Sequence, residues 1–190
     1  MTDMTTEKRI DYQIEFFSQW HCGSGLSAGA DIDLLVIKDK KGMPFIPGKT
    51  LKGLIREAVE NLMLYKGQTK GSVEQVFGKE GEVSGRAHFS NAQLDDSEYK
   101  AIVGNKAQRF LYQKVTTTSI SDNDGIAEDH SLRSLEVVVP CTLHAHIDNV
   151  PDDMVETVTE ALGLVKRLGH KRTRGLGRCD LRVEEKGGKR

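Results

Sequence analysis

The run Pro47-Gly-Lys-Thr-Leu-Lys-Gly-Leu-Ile-Arg-Glu-Ala-Val-Glu-Asn-Leu-Met-Leu64 decides how the rest of the chain is read. Its apolar residues fall at Leu51, Leu54, Ile55, Ala58, Val59, Leu62 and Met63, the 3.6-residue stripe of an amphipathic helix. The pattern predicts a helix over 49–64, with Thr50 as its N-cap and Gly67 as its stop. Pro47-Gly48 separates that helix from a short extended piece, Met43–Ile46. The first turn carries Lys49, Thr50 and Lys52, and Lys52 and Arg56 share a face four residues apart. A helix N-terminus with free N–H donors and a positive dipole end suits phosphate.

Upstream, residues 10–20 alternate apolar and polar residues, the period of a half-buried strand. Small residues and glycine follow from His21 to Gly29. Residues 32–38 read as a second strand, closed by the turn Asp39-Lys40-Lys41-Gly42. Downstream, a short helix is expected near 72–77 and a strand over 86–94. Residues 95–135 show no period and read as an insertion that is mobile or functional. Residues 135–147 read as one strand, with Pro140 marking an edge or bulge. A second amphipathic helix is expected over 152–168, a last strand over 178–183, and a disordered tail over 184–190. The order is that of an α+β, ferredoxin-like β-α-β-β-α-β plan with insertions, in a single domain spanning 1–190.

Composition narrows the partners. The 190 residues carry a formal net charge of only -1, so affinity for a polyanion must come from local clustering. Acidic residues are segregated at Asp95, Asp96 and Glu98 and at Asp152, Asp153 and Glu156. Cationic residues concentrate in Arg167-Leu-Gly-His-Lys-Arg-Thr-Arg-Gly-Leu-Gly-Arg178, which contains no carboxylate. Glycine there allows close backbone approach, and Lys171, Arg172, Arg174 and Arg178 supply charge around Gly175 and Gly177. The three cysteines form no disulfide or zinc pattern, which points to a reducing cytoplasm. The polar N-terminus is no signal peptide, and no apolar run approaches a membrane span. His144 and His146 would share a strand face, but no further ligand completes a zinc set. Phe16, Phe17 and Trp20 read as core or interface residues rather than as base-stacking platforms.

Four segments together carry a resemblance: Trp20-His-Cys-Gly-Ser-Gly25, Asp33 ahead of Val36–Asp39, Phe45–Arg56, and the Gly-rich loop. The chain resembles the RAMP superfamily, in particular the repeated backbone subunit of type III CRISPR effector complexes. Pro47-Gly-Lys-Thr-Leu-Lys-Gly53 is similar to the family's Pro-Gly-Ser-Ser-Leu-Lys-Gly motif, departing at Lys49-Thr50. Residues 113–140 resemble its β-hairpin thumb, placed here within 95–135, with Ile126 and Leu132 as wedge residues and Arg109, Lys114 and Arg133 toward the backbone. The resemblance implies a modified RRM-like palm holding CRISPR RNA and facing target RNA, side by side with other RAMP subunits. RNA contacts would then come from His21, Gly23, Gly25, Lys49, Thr50, Lys52, Arg56, Arg133 and the Gly-rich loop. It also implies that Asp33, assisted or replaced by Asp31, cleaves target RNA with a divalent metal (Mg or Mn) held by Asp33. The competing readings are a backbone subunit that binds without cutting, a repeat-processing endoribonuclease using His21 as acid or base, and an unrelated interaction domain.

Overall fold

The computed structural model describes residues 7–26, 32–67, 71–79, 83–118 and 133–184. The elements are β1 (Glu7–Phe16), α1 (Gly48–Tyr65), α2 (Gly71–Phe77), β2 (Gly78–Lys79), β3 (Val83–Ser84), β4 (His88–Phe89), α3 (Asp96–Gly104), β5 (Tyr112–Thr117), β6 (Arg133–Val138), β7 (Thr142–Pro151), α4 (Asp152–Leu164) and β8 (Cys179–Val183). Single 3₁₀ turns lie at Gln108–Leu111 and Arg172–Arg174.

β4, β7, β1 and β8 form one antiparallel sheet in that order. With α1 and α4 as crossovers this is the ferredoxin-like plan. The period-2 pattern explains the layering. Ile10, Tyr12, Ile14 and Phe16 of β1 and Leu143, Ala145 and Ile147 of β7 are buried in one core with the helices. Asp11, Gln13, Glu15, His144 and His146 stand on the opposite, open face. α1 buries Leu51, Ile55, Val59, Leu62 and Met63, and α4 buries Met154, Val158, Ala161 and Leu162. The apolar stripe read from sequence is therefore the core-facing side of each helix.

Several boundaries differ, for physical reasons. The first strand ends at Phe16; Trp20, fully buried, pairs instead with Val138. Residues 32–38 form no ladder strand, only bridges from Val36 to Gly23, Leu34 to Leu135 and Lys38 to Pro44. The strand expected over 86–94 shrinks to His88–Phe89, because the chain then turns to bridge Ala92 to Ile46 and Gln93 to His144. The span 95–135 holds α3, started by Asp95, whose Oδ1 accepts the Ser97 N–H at 2.8 Å. α3 packs only the half-buried Tyr99, Ile102 and Val103 against the core, a stripe too short to stand out in sequence. Residues 135–147 are two strands in different sheets: β6 pairs with β5, and β7 pairs with β1. Pro140, lacking an N–H, lies in the break. The second helix stops at Leu164. Thr50 is not the cap of α1; Pro47 occupies that position, and Asn91 Oδ1 accepts the Gly48 N–H at 2.9 Å. The tip of the β5–β6 hairpin, with Ile126 and Leu132, lies outside the described residues, as do Asp31 and the tail 185–190.

Two expectations follow from packing. A Cβ on Gly48 would lie 2.1 Å from the Phe89 carbonyl oxygen, so Gly48→Ala must displace backbone. It should cost about 3 kcal/mol, read as a shifted urea midpoint at unchanged slope. Burial pushes the thiols of Cys22 and Cys141 up to about 11 and that of Cys179 up to about 12. All three should resist iodoacetamide at pH 8 in the native protein and react on unfolding.

Candidate nucleic-acid interface

Three chain segments remote in sequence meet around His21. His21 is buried, and its Nδ1–H donates to the Glu136 carbonyl of β6 at 2.7 Å. Its own carbonyl accepts the His170 N–H at 2.9 Å. This pins the Gly-rich loop to the segment that follows β1. Gly169 makes the contact possible: its φ is +97°, and a Cβ there would lie 2.3 Å from the His21 carbonyl oxygen. The imidazole Nε2 points toward Gly23, where a Cβ would sit 3.1 Å away. Burial holds the His21 pKa below the ordinary histidine value, opposed by its bond to Glu136 and assisted by His170 and Lys171. The ring is therefore neutral at neutral pH, and it orients backbone rather than offering a cation to a phosphate.

The loop between α4 and β8 is tied at its base and open at its tip. Leu168 N–H donates to Gly177 O, and Gly177 N–H donates to Gln19 O, at 2.9 and 2.8 Å. Gly177 has φ +69°, with Leu168 O only 1.9 Å from a built Cβ. Lys171 adopts the left-handed region, and its Nζ donates to Thr117 Oγ1 of β5 at 3.1 Å. The tip, Arg172–Thr173–Arg174, is exposed and is closed by Gly175 at φ +88°.

Facing this tip is the first turn of α1. No side chain of the cap residue bonds there and no acidic residue occupies the turn. Lys49 and Thr50 are exposed, although a cation at this end opposes the helix dipole. His21, Gly23, Lys49, Thr50, Gly169 and Arg172 line one open groove. The groove thus combines two cations, a helix N-terminus and three glycines, Gly23, Gly53 and Gly169, with Glu57 as its one carboxylate, which is a fit for a ribose-phosphate chain.

Not every expected residue joins it. Lys52 and Arg56 line a neighbouring depression with Gly78, Lys79 and His88. Arg56 is held there, donating from Nε to Glu60 at 2.8 Å and from Nη1 to the Gly78 carbonyl at 3.1 Å. Gly25 is exposed at φ +77° on the 22–37 loop. Arg174 is exposed on the loop tip, and Arg178 lies over the ring of Phe17 at 5.6 Å.

Asp33 sits on another flank. It is exposed, and both its backbone and side chain bond Ser134: its N–H donates to Ser134 O at 3.0 Å, and its Oδ2 accepts the Ser134 N–H at 2.6 Å. It thus runs along the free edge of β6, beside exposed Arg133, which pairs with Thr117 of β5. Thr117 is also the partner of Lys171, so the hairpin links Asp33's neighbourhood to the basic loop. Among the described residues no group of three His, Cys, Asp or Glu comes together.

Sequence reasoning placed Glu136 only in the thumb-like stretch and His170 only in the basic loop, and gave Asn91 no role. Buried Glu136 accepts the Val36 N–H at 3.0 Å and the Lys38 ammonium at 2.7 Å, fixing the segment that carries Asp33. A glutamate inside an otherwise apolar run, Leu135–Val139, was the available signal.

Residues 13–180 match the sequence model of the RAMP superfamily. No curated protein matches the chain. Among solved structures, a chain of the type III-B Cmr-beta complex bound to cognate target RNA superposes with a TM-score of 0.72 at 15% identity, covering 93% of this chain and 97% of the other. A chain of the same complex in its apo state gives 0.72 at 14% identity, covering 94% and 98%. These likenesses concern the fold.

The depressed His21 pKa sets a pH dependence. As pH falls the unfolded chain takes up this proton first, so the contribution is whole above about pH 6.5 and declines below it. The His21 ring should titrate below the ordinary histidine value by NMR, and His21→Gln should flatten the acid side of the stability profile.

Proposed function

Because this chain belongs to the RAMP superfamily, we propose that it is an RNA-binding backbone subunit of a type III CRISPR effector complex, side by side with related subunits in the cytoplasm. The domain would span 1–190 with its thumb within 95–135. The observation that carries this reading is the shared groove of Lys49, Thr50, Gly169 and Arg172 around buried His21. Cations and backbone donors converge there without a base-reading pocket, the arrangement for holding a guide by its phosphates whatever its sequence. The likeness to a complex seen with cognate target RNA supports the same partner class.

We further propose that Asp33 cuts target RNA laid against β6. One carboxylate oxygen is fixed by Ser134, and the other has no hydrogen-bond partner among the described residues. That oxygen would take the proton of a ribose 2′-hydroxyl as the 2′-oxygen attacks the adjacent 3′-phosphorus, while the P–O5′ bond breaks and the departing 5′-oxygen takes a proton from water. A single carboxylate also suits Mg²⁺, which takes one or two carboxylates and completes its shell from phosphate and water. Such an ion would neutralise charge developing on the scissile phosphate.

Two experiments test the pair of claims. Lys49→Glu with Arg172→Glu should weaken single-stranded RNA binding at least tenfold and reduce the log–log salt slope by about 1.4, the loss of two phosphate contacts. In the assembled complex, Asp33→Ala should leave guide retention intact and slow target cleavage by roughly 10²–10⁴-fold. Wild-type cleavage by that variant would leave a subunit that binds without cutting.

A further inference from the structure

Phe17 does not behave as a core residue. It follows the end of β1, is 43% exposed, and lies on a depression of about 420 Å³ shared with Lys166, Arg178, Asp180 and Arg182. That size falls in the usual range for small-molecule clefts, about 300–1,000 Å³. The aromatic wall is held in place by backbone. Phe17 N–H donates to Arg178 O at 2.9 Å, and Arg178 N–H donates to Ser18 Oγ at 2.9 Å. The guanidinium carbon stands 5.6 Å from the ring centroid. Lys166 Nζ and Arg182 Nε both donate to Asp180, at 2.6 and 2.8 Å, so the carboxylate is flanked by two cations.

This depression is not isolated. The groove at the α1 N-terminus shares Arg172 with a second depression lined by Lys166 and Arg167, and that one shares Lys166 with the Phe17 site. These adjoining depressions, linked by shared lining residues, outline a path round the base of the Gly-rich loop. Lys49, Arg172, Arg167, Lys166 and Arg178 mark it, opposed by Glu57 and Asp180.

We propose that Phe17 and Arg178 form a nucleobase-stacking site at the end of this path, taking one base of the single-stranded RNA whose phosphates the loop holds. The proposal rests on the RNA-binding reading above. The ring and the guanidinium plane supply stacking surfaces, which accept any base. Asp180 supplies an acceptor for a base N–H, and Lys166 a cation for the adjoining phosphate.

The test uses the full chain and two fluorescein-labelled strands of equal length, an oligouridine RNA and its abasic ribose-phosphate counterpart. Phe17→Ala should weaken oligouridine binding about tenfold and leave the abasic strand unaffected. Phe17→Tyr should restore the affinity, and 5-iodouridine RNA should photocrosslink to Phe17. The stacking site is overturned if Phe17→Ala binds oligouridine like wild type, or if it weakens both strands equally. It is also overturned if the variant changes self-association while RNA affinity stays the same, the mark of a protein interface. Failure of wild type to bind either strand overturns the RNA-binding reading, and this site with it. Binding that needs Lys49 and Arg172 but not Phe17 overturns the stacking site alone.

Discussion

The carbonyl and imidazole of one buried residue, His21, tie the candidate interface together. Nδ1–H reaches the Glu136 carbonyl on β6, and the carbonyl oxygen receives the His170 N–H from the basic loop. Remove either bond and a buried polar group is left unpaired, at a cost of about 1–3 kcal/mol. The larger consequence is positional. The loop tip with Arg172 faces the first turn of α1 because Gly169 lies against that carbonyl. Glycine is required twice over, by the positive φ and by the 2.3 Å approach. The loop's glycines thus serve packing as well as ligand access, since Gly177 meets Leu168 in the same way.

Charge is distributed so that a nearly neutral chain can hold a polyanion. On the open sheet face, charges are matched locally. Arg9 pairs with Asp11, His144 with Glu184, His146 with Asp148, and Arg182 with Asp180. On this face β1 and β7 place no Phe, Tyr or Trp; Asp11, Gln13, Glu15, His144 and His146 occupy it, and both imidazoles have a carboxylate neighbour. It is therefore poorly made for the base stacking that a four-stranded RNA-binding sheet provides. At the helix-1 end and on the Gly-rich loop, by contrast, Lys49, Lys52, Arg172 and Arg174 form no ion pair with another described residue. His144 and His146, which invited a metal reading from their spacing, each have a carboxylate neighbour and belong to this matched set.

The sheet and its two crossover helices were legible because their residues obey one period each. Ile10-Asp-Tyr-Gln-Ile-Glu-Phe16 alternates because one face is buried, and Leu51, Ile55, Val59 and Leu62 repeat because one helix side is. The central region was illegible for the opposite reason. α3 sets only one short, half-buried stripe, Tyr99, Ile102 and Val103, against the core, and β6 is buried at Ser134, Leu135, Glu136, Val137 and Val138 alike, so it shows no period. Cross-chain bonds were equally invisible. Asn91 satisfying Gly48, Ser134 holding Asp33 and Thr117 meeting Lys171 join residues that no local pattern relates. The site's cations could be named from sequence, but not their division between two grooves. That division follows from α1 itself: Lys49 and Thr50 face the loop, while Lys52 and Arg56 face the β2–β3 hairpin. Phe17 reads from sequence as a core or interface residue alongside Phe16 and Trp20. Alternation along the strand buries the first ring and exposes the second.

β6 also fixes the spacing between the groove at His21 and Asp33. Its Ser134 holds Asp33, its Glu136 holds His21 by the carbonyl and the 36–38 segment by the carboxylate, and its Val138 exchanges both backbone bonds with Trp20. At about 3.3 Å per strand residue, these three anchors lie within about 13 Å of one another along a single strand. β5 pairs along the other edge over all six residues of β6, so the strand cannot slide without breaking the ladder. A one-residue slip would also turn the Glu136 carboxylate away from Lys38 and leave a buried charge unpaired. The carboxylate at Asp33 and the groove at His21 are consequently tied to one strand. On the proposed reading, a guide seated by its phosphates in the groove would present the same internucleotide position of its paired target strand to Asp33, whatever bases it carries.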